Sequence, residues 1–273
     1  MQTTNTVTFE SNSFSKRLKS MLSVDFRRMF TMPLFYIMVG ISLVIPILIF
    51  VMTTMMAGTT TVNPSTGVET TIEGFENVWQ AIGTVSGESA GAAMSMDLTS
   101  MCNINLIYFL AAVLVCLFVS EDFRSGYAKN LFTVRSKKTD YVISKSLVGF
   151  VGGVCMLLAY FVGAMIGGAI AKLPFDLGIA NVGNVVMCLL SKTFLMAVFV
   201  SIYLVMSVVG KQRAWLSMVL SLGSSMLLFA MIPMITPLNA GILNGGLCLA
   251  GGGIFSVGMG AISNVVLRKT SLV

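Results

Sequence analysis

The sequence predicts an all-α integral membrane protein with six transmembrane helices. Three observations predict it. The 273 residues are 56 % hydrophobic and only 10 % charged, against about 25 % charged in a soluble domain. The mean hydropathy is +0.90. Six continuous apolar runs, each long enough to cross ~30 Å of hydrocarbon, replace the short alternating strands of a barrel. In lipid such runs must be helical, because a helix satisfies its own backbone hydrogen bonds.

The spans are expected at 33–57, 102–120, 146–171, 184–209, 214–236 and 247–267. Before them, residues 13–31 place Phe14, Leu18, Met21, Leu22, Phe26 and Met29 at helical spacing, with Lys16, Arg17, Arg27 and Arg28 largely opposite and Asp25 between. A basic amphipathic helix of this kind lies in the membrane interface. Pro33 opens helix 1, where its missing N–H costs little. No apolar core followed by a small-residue cleavage site precedes it, so helix 1 is expected to be its own targeting signal.

The long connection 58–100 carries Glu69, Glu73, Glu76, Glu88 and Asp97 and no Lys or Arg. Within it, Ile72, Phe75, Trp79 and Ile82 are spaced for a short amphipathic helix on the membrane surface. Gly83, Gly87 and Gly91 follow at intervals of four. Helix 2 is expected to end near Ser120, with Glu121 and Asp122 capping the next turn. Phe123, Tyr127 and Leu131 then share one face of a short helix flanked by Arg124 and Lys129. Residues 121–145, EDFRSGYAKNLFTVRSKKTDYVISK, hold six Lys or Arg and three acids between two apolar runs. A solvated loop needs charge but not an aromatic stripe, so the stripe suggests a groove, either on the bilayer or on a partner protein. Thr139 or Asp140 is a plausible cap for the helix that follows.

In the last third, Ser217, Ser221 and Ser225 in helix 5, and Gly252, Ser256 and Gly260 in helix 6, recur every four residues. Small residues let helices approach closely in lipid, within one chain or between two. Between these helices, Pro233, Pro237, Asn239, Gly241, Asn244, Gly245 and Gly246 break regularity without charge. This is the pattern of a re-entrant segment. Lys192 lies inside span 184–209 and is expected to snorkel to the outer surface or to pair with Asp176 or Asp97.

Fifteen of the 17 basic residues fall on one side of this arrangement. The positive-inside rule makes that side cytoplasmic and puts both termini inside. The net charge of +6 is then explained by anionic lipid, and no nucleic-acid partner is needed. There is no histidine and no phosphate-binding loop of the G-x-x-x-x-G-K-[ST] type. Cys102, Cys116, Cys155, Cys188 and Cys248 form no C-x-x-C pair and read as apolar packing residues. No catalytic residue, cofactor site or metal site is expected, and an enzyme is the least favoured class.

In order and topology the chain resembles the membrane subunit of a bacterial ATP-binding cassette exporter of the second type, the fold of the G-subfamily exporters. The local likeness lies in Glu121, Gly126, Lys129, Arg135 and Lys145. Thr133 and Val134 stand where the family often has a proline. The resemblance implies that residues 121–135 contain a coupling helix. Glu121, Phe123, Arg124, Gly126, Tyr127, Lys129 and Leu131 would then dock in a groove on a separate ATPase subunit, present in two copies, which binds ATP and Mg. It also implies a second permease chain, identical or homologous, and an amphiphilic peptide or drug-like substrate exported across the bacterial cytoplasmic membrane. A carrier or channel working without ATP, and a peptide-immunity or sensing complex on the same fold, remain alternatives.

Overall fold

The computed structural model describes residues 14–62, 69–71, 74–83, 103–134, 138–177, 180–211, 213–229 and 231–269. Gly87, Gly91, Asp97, Cys102 and Arg135 lie outside them. The described chain is helical but for a two-stranded antiparallel pair, β1 (Thr60–Val62) and β2 (Glu69–Thr71). The helices are α1 (Phe14–Thr31), α2 (Pro33–Met56), α3 (Leu106–Arg124), α4 (Tyr127–Val134), α5 (Lys138–Ile170), α6 (Val182–Gly210), α7 (Ala214–Phe229), α8 (Ile232–Ile235) and α9 (Ile242–Lys269).

Five of them, α2, α3, α5, α6 and α9, are long and apolar enough to cross a membrane, the pattern of a multi-pass membrane protein. The fifth expected span is instead divided. α7 is apolar but has only 16 residues, or ~24 Å at ~1.5 Å per residue. The chain breaks after it, and the one-turn α8 follows. Pro233 near the start of α8 fits this break, since it cannot donate to a preceding helical turn.

The bundle is organised around α5 and α6. α2 lies along α5, α9 lies along α6, and α3 and α7 close the remaining sides. Glycine sets the first contact. A methyl group at Gly163 would collide with the Leu43 carbonyl and the Pro46 ring, and one at Gly167 would sit 2.8 Å from Ile47 Cα. Neither helix could approach so closely with larger residues there. The outward faces of α2 and α9 are apolar and exposed, with Met55 79 % and Ile254 76 % accessible. That inverted pattern suits hydrocarbon as the solvent.

The two small-residue rows face inward within this chain. Ser217, Ser221 and Ser225 are all buried. Ser221 Oγ lies 3.1 Å from Cys116 Sγ, and Ser225 Oγ lies 2.6 Å from Tyr203 Oη. Gly252 backs onto the Phe194 carbonyl, Ser256 Oγ donates to the Ala197 carbonyl at 3.1 Å, and Gly260 faces Val142. Cys116, Cys155, Cys188 and Cys248 are unpaired.

The surface helix expected around Trp79 is a single 3₁₀ turn, Val78–Ala81, and it plugs the bundle instead of resting outside it. Phe75, Val78, Ala81 and Ile82 are buried, with Val78 seated against Gly168 and Phe75 edge-on to Phe50. Trp79 Nε1 donates to the Phe175 carbonyl. Phe75 and Ile82 do share a buried face, while Ile72 lies outside the described residues.

Candidate functional site: a buried ion cluster at the basic end

Most basic residues gather where α1, α4 and the basic ends of the bundle helices meet. The hinge from α3 to α4 is tight. Gly126 has φ +74°, a left-handed conformation open to glycine at little cost. Ser125 N and Oγ both return to the Glu121 carbonyl and close the end of α3. α3 thus continues to Arg124, and Glu121 and Asp122 lie in its last turn instead of capping a new helix. Phe123 belongs to α3, while Tyr127 and Leu131 belong to α4, so the expected single stripe is split between two helices.

The stripe also points inward. Phe123 is 7 % exposed and meets Tyr141 edge-on. The Arg28 guanidinium stacks over the Tyr127 ring at 4.2 Å, a contact that strengthens where water is excluded. Leu131 packs against the core. What α4 and its hinge present outward is Glu121, Arg124, Ser125, Lys129, Asn130 and Thr133.

Beneath these rings sits a cluster of four charges from three helices. Lys145 Nζ, wholly buried, is 2.9 Å from Asp25 Oδ1 and 2.7 Å from Asp122 Oδ2. Arg28 Nη1 is 2.6 Å from Asp122 Oδ1. Ser144 Oγ donates to Asp25 Oδ2 at 2.6 Å, and Tyr141 Oη donates to Asp122 Oδ2 at 2.9 Å. Lys145 Nζ also lies 3.9 Å from the centre of the Phe118 ring. Two carboxylates face two cations, and every carboxylate oxygen has a donor. A buried cluster needs that balance, because each unpaired ion would cost several kcal/mol. A second pair, Arg17 Nε to Asp140 Oδ2 at 3.1 Å, ties the start of α1 to the start of α5. Arg27, by contrast, is exposed.

Two titrations outside the spanning helices carry the imprint. Burial pulls the Arg28 guanidinium down, but Asp122, aided by Tyr127 and Asp25, more than offsets it, and the net shift is upward. Burial raises the Tyr127 phenol, with Asp25 adding to the rise and Arg28 opposing it. Both groups therefore keep their ordinary forms over the whole physiological range.

Of the residues singled out from sequence, Asp25, Arg28, Lys145 and Tyr127 come together. Glu121, Arg124 and Lys129 stay at the surface. Asp122, Tyr141, Ser144 and Asp140 were missed as partners. A signal existed: Met21, Asp25 and Met29 recur every four residues and are the buried positions of α1. An acid in the middle of an apolar helical face calls for a buried cation.

Lys192 forms a separate polar site toward the other end. It is 1 % exposed, so it does not snorkel. Its Nζ donates to Asn105 Oδ1 at 2.7 Å and Thr236 Oγ1 at 3.0 Å, tying α6 to α3 and to the turn after α8. Of the two expected acids, Asp176 is exposed and does not serve it, and Asp97 lies outside the described residues. Tyr108 Oη donates to the Lys192 carbonyl, and Tyr203 Oη to the Tyr108 carbonyl. Thr236 to Leu238 and Ala240 are buried with it. The broken segment is shielded by protein, as backbone without regular hydrogen bonds must be in a membrane.

No group of three His, Cys, Asp or Glu residues able to hold a metal occurs among the described residues. No family model, curated protein or solved structure matches the chain.

Proposed function

We propose that this chain is the permease subunit of an ATP-binding cassette exporter, driven by a separate ATPase that docks on α4. The observation that carries the reading is the ion cluster. It joins α1, the end of α3 and the start of α5 into one unit, and α4 lies against that unit through Tyr127 and Phe132. A displacement applied to α4 would therefore reach two spanning helices and the interfacial helix together. Packed charges resist independent sliding, because each separation leaves a buried ion unpaired.

In this reading the basic end is cytoplasmic, by the positive-inside rule. α7 with α8 completes a sixth span, and the segment after α8 is re-entrant. Two ATPase subunits bind ATP and Mg, two permease chains enclose the path, and the substrate is an amphiphilic peptide or drug-like molecule. The docking residues are revised to the outward set, Glu121, Arg124 and Lys129, with Phe123, Tyr127 and Leu131 shaping the helix from behind.

The test is purification from the native membrane in mild detergent. An ATP-hydrolysing partner should accompany the wild type and be lost from Arg124→Glu/Lys129→Glu, while that variant still inserts and unfolds like the wild type. Recovery of the same partner from both proteins would remove α4 as the dock, and recovery of none would remove the exporter reading.

One observation favours a second reading. A lysine buried in a spanning helix marks ion pathways in carriers, and Lys192 is such a residue. Substrate movement in liposomes holding only this chain, lost in Lys192→Met, would support an ATP-independent carrier.

A further inference from the structure

We propose that the cleft between α5, α6 and α9 is a phospholipid site, holding one acyl chain with its anionic headgroup on Arg268 and Lys269. The proposal stands apart from whether the chain exports anything. At the basic end α5 and α9 are clamped together. Lys138 Nζ donates to the Leu267 carbonyl at 2.7 Å, and Asn264 Nδ2 donates to Thr139 Oγ1 at 3.1 Å. One turn further, Gly260 still faces Val142. Beyond that α9 follows α6, and the gap left beside α5 is a cleft of about 270 Å³.

The walls of the cleft are hydrocarbon: Leu147 and Phe150 from α5, Phe194 from α6, Leu249 and Gly253 from α9. The Ser256 hydroxyl at its edge is already donated to the Ala197 carbonyl, which leaves the Ser146 hydroxyl as the one other polar side chain in a lining that is otherwise apolar. The volume falls below the ~300–1,000 Å³ usual for drug-sized molecules, and suits a single chain. The cleft also opens sideways, with Leu147 and Leu249 exposed on its rims.

Depth and charge choose the lipid. From Arg268 to Ser256 the helix rises ~18 Å, close to the ~15 Å half-thickness of the hydrocarbon core. A chain whose phosphate sits at Arg268 would end in the cleft. On a 3.6-residue period Gly253 and Arg268 fall within about 60° of each other. Arg268 and Lys269 are exposed, and Lys138 already occupies a carbonyl in the last turn of α9, which would otherwise repel phosphate. Since hydrocarbon gains nothing by leaving other hydrocarbon, shape retains the tail and charge selects the headgroup.

Gly253 makes the test clean, because a Cβ added there meets no atom within 4 Å. Gly253→Leu places four carbons at the wall of the cleft from an unobstructed Cβ. Gly258 has equally open space, and Gly258→Leu is the control. The protein would be placed in nanodiscs of phosphatidylethanolamine and phosphatidylglycerol, the latter carrying a photoreactive diazirine near the chain end, and adducts mapped by mass spectrometry. We expect adducts concentrated in residues 146–150 and 249–256, reduced at least fivefold by Gly253→Leu and unchanged by Gly258→Leu. Arg268→Gln/Lys269→Gln should abolish the excess over a phosphatidylethanolamine probe. Adducts spread evenly over α2 and α9, or unaffected by Gly253→Leu, would overturn the site. So would a cleft free of adducts because a second copy of this chain covers it.

Discussion

Replacing Lys145 with Met removes the one ammonium shared by Asp25 and Asp122 while keeping nearly the same side-chain length. In the intact protein Lys145 lies 2.9 Å and 2.7 Å from the two acids, and all three side chains are fully buried. Two ions at 4 Å attract by about 4 kcal/mol at an effective dielectric constant near 20, so the gross loss is larger than that for each pair. The loss is unevenly shared. Asp122 keeps Arg28 and Tyr141, whereas Asp25 keeps only the Ser144 hydroxyl among its direct contacts. Experience with broken buried pairs puts the net cost at about 3–5 kcal/mol. Adding Asp25→Asn to Lys145→Met removes the stranded charge and should return about 1–3 kcal/mol. The assay is unfolding in mild detergent by rising dodecyl sulfate, followed by tryptophan fluorescence. Lys145→Met unfolding within about 1 kcal/mol of wild type would refute the argument, as would an Asp25→Asn change that adds to its loss.

Other outcomes follow from the packing. Gly163→Ala should destabilise the same unfolding transition by about 1–3 kcal/mol or more, because the added methyl meets the Leu43 backbone, which cannot yield as a side chain would. Phe75→Ala should cost about 3–5 kcal/mol in the same transition, because the ring is buried against Phe50. An amine reagent added to the protein in mild detergent should modify Lys172, which is exposed just after α5, and leave Lys192 untouched. Reaction at Lys192 would show that it reaches the surface after all. Lys129→Glu alone should change stability by no more than about 0.5 kcal/mol, since its side chain lies at the surface.

The membrane class, the amphipathic helix before the first span, the helical pieces and the clustering of basic residues were all legible from sequence. Each depends on composition or local period, and lipid makes that signal strong because it leaves the backbone few alternatives. Helix α1 illustrates both the reach and the limit of this reading. Its period marked the apolar face, but nothing local said that Asp25 on that face would meet Lys145, 120 positions away. The stripe of Phe123, Tyr127 and Leu131 shows the same limit. Its spacing is helical, yet Gly126 breaks the helix, and the rings turn toward Arg28 and Tyr141 instead of a partner. Periodicity reports that a face will be buried. Which surface buries it is decided only when distant helices compete for it, as they did for the Trp79 turn and for Lys192. The sequence by itself therefore determined the solvent, the helices and the amphipathic faces. The tertiary structure decided the ion pairs, the inward direction of Phe123, Tyr127 and Leu131 and the cleft beside α9, because these depend on distances between residues that no local pattern links.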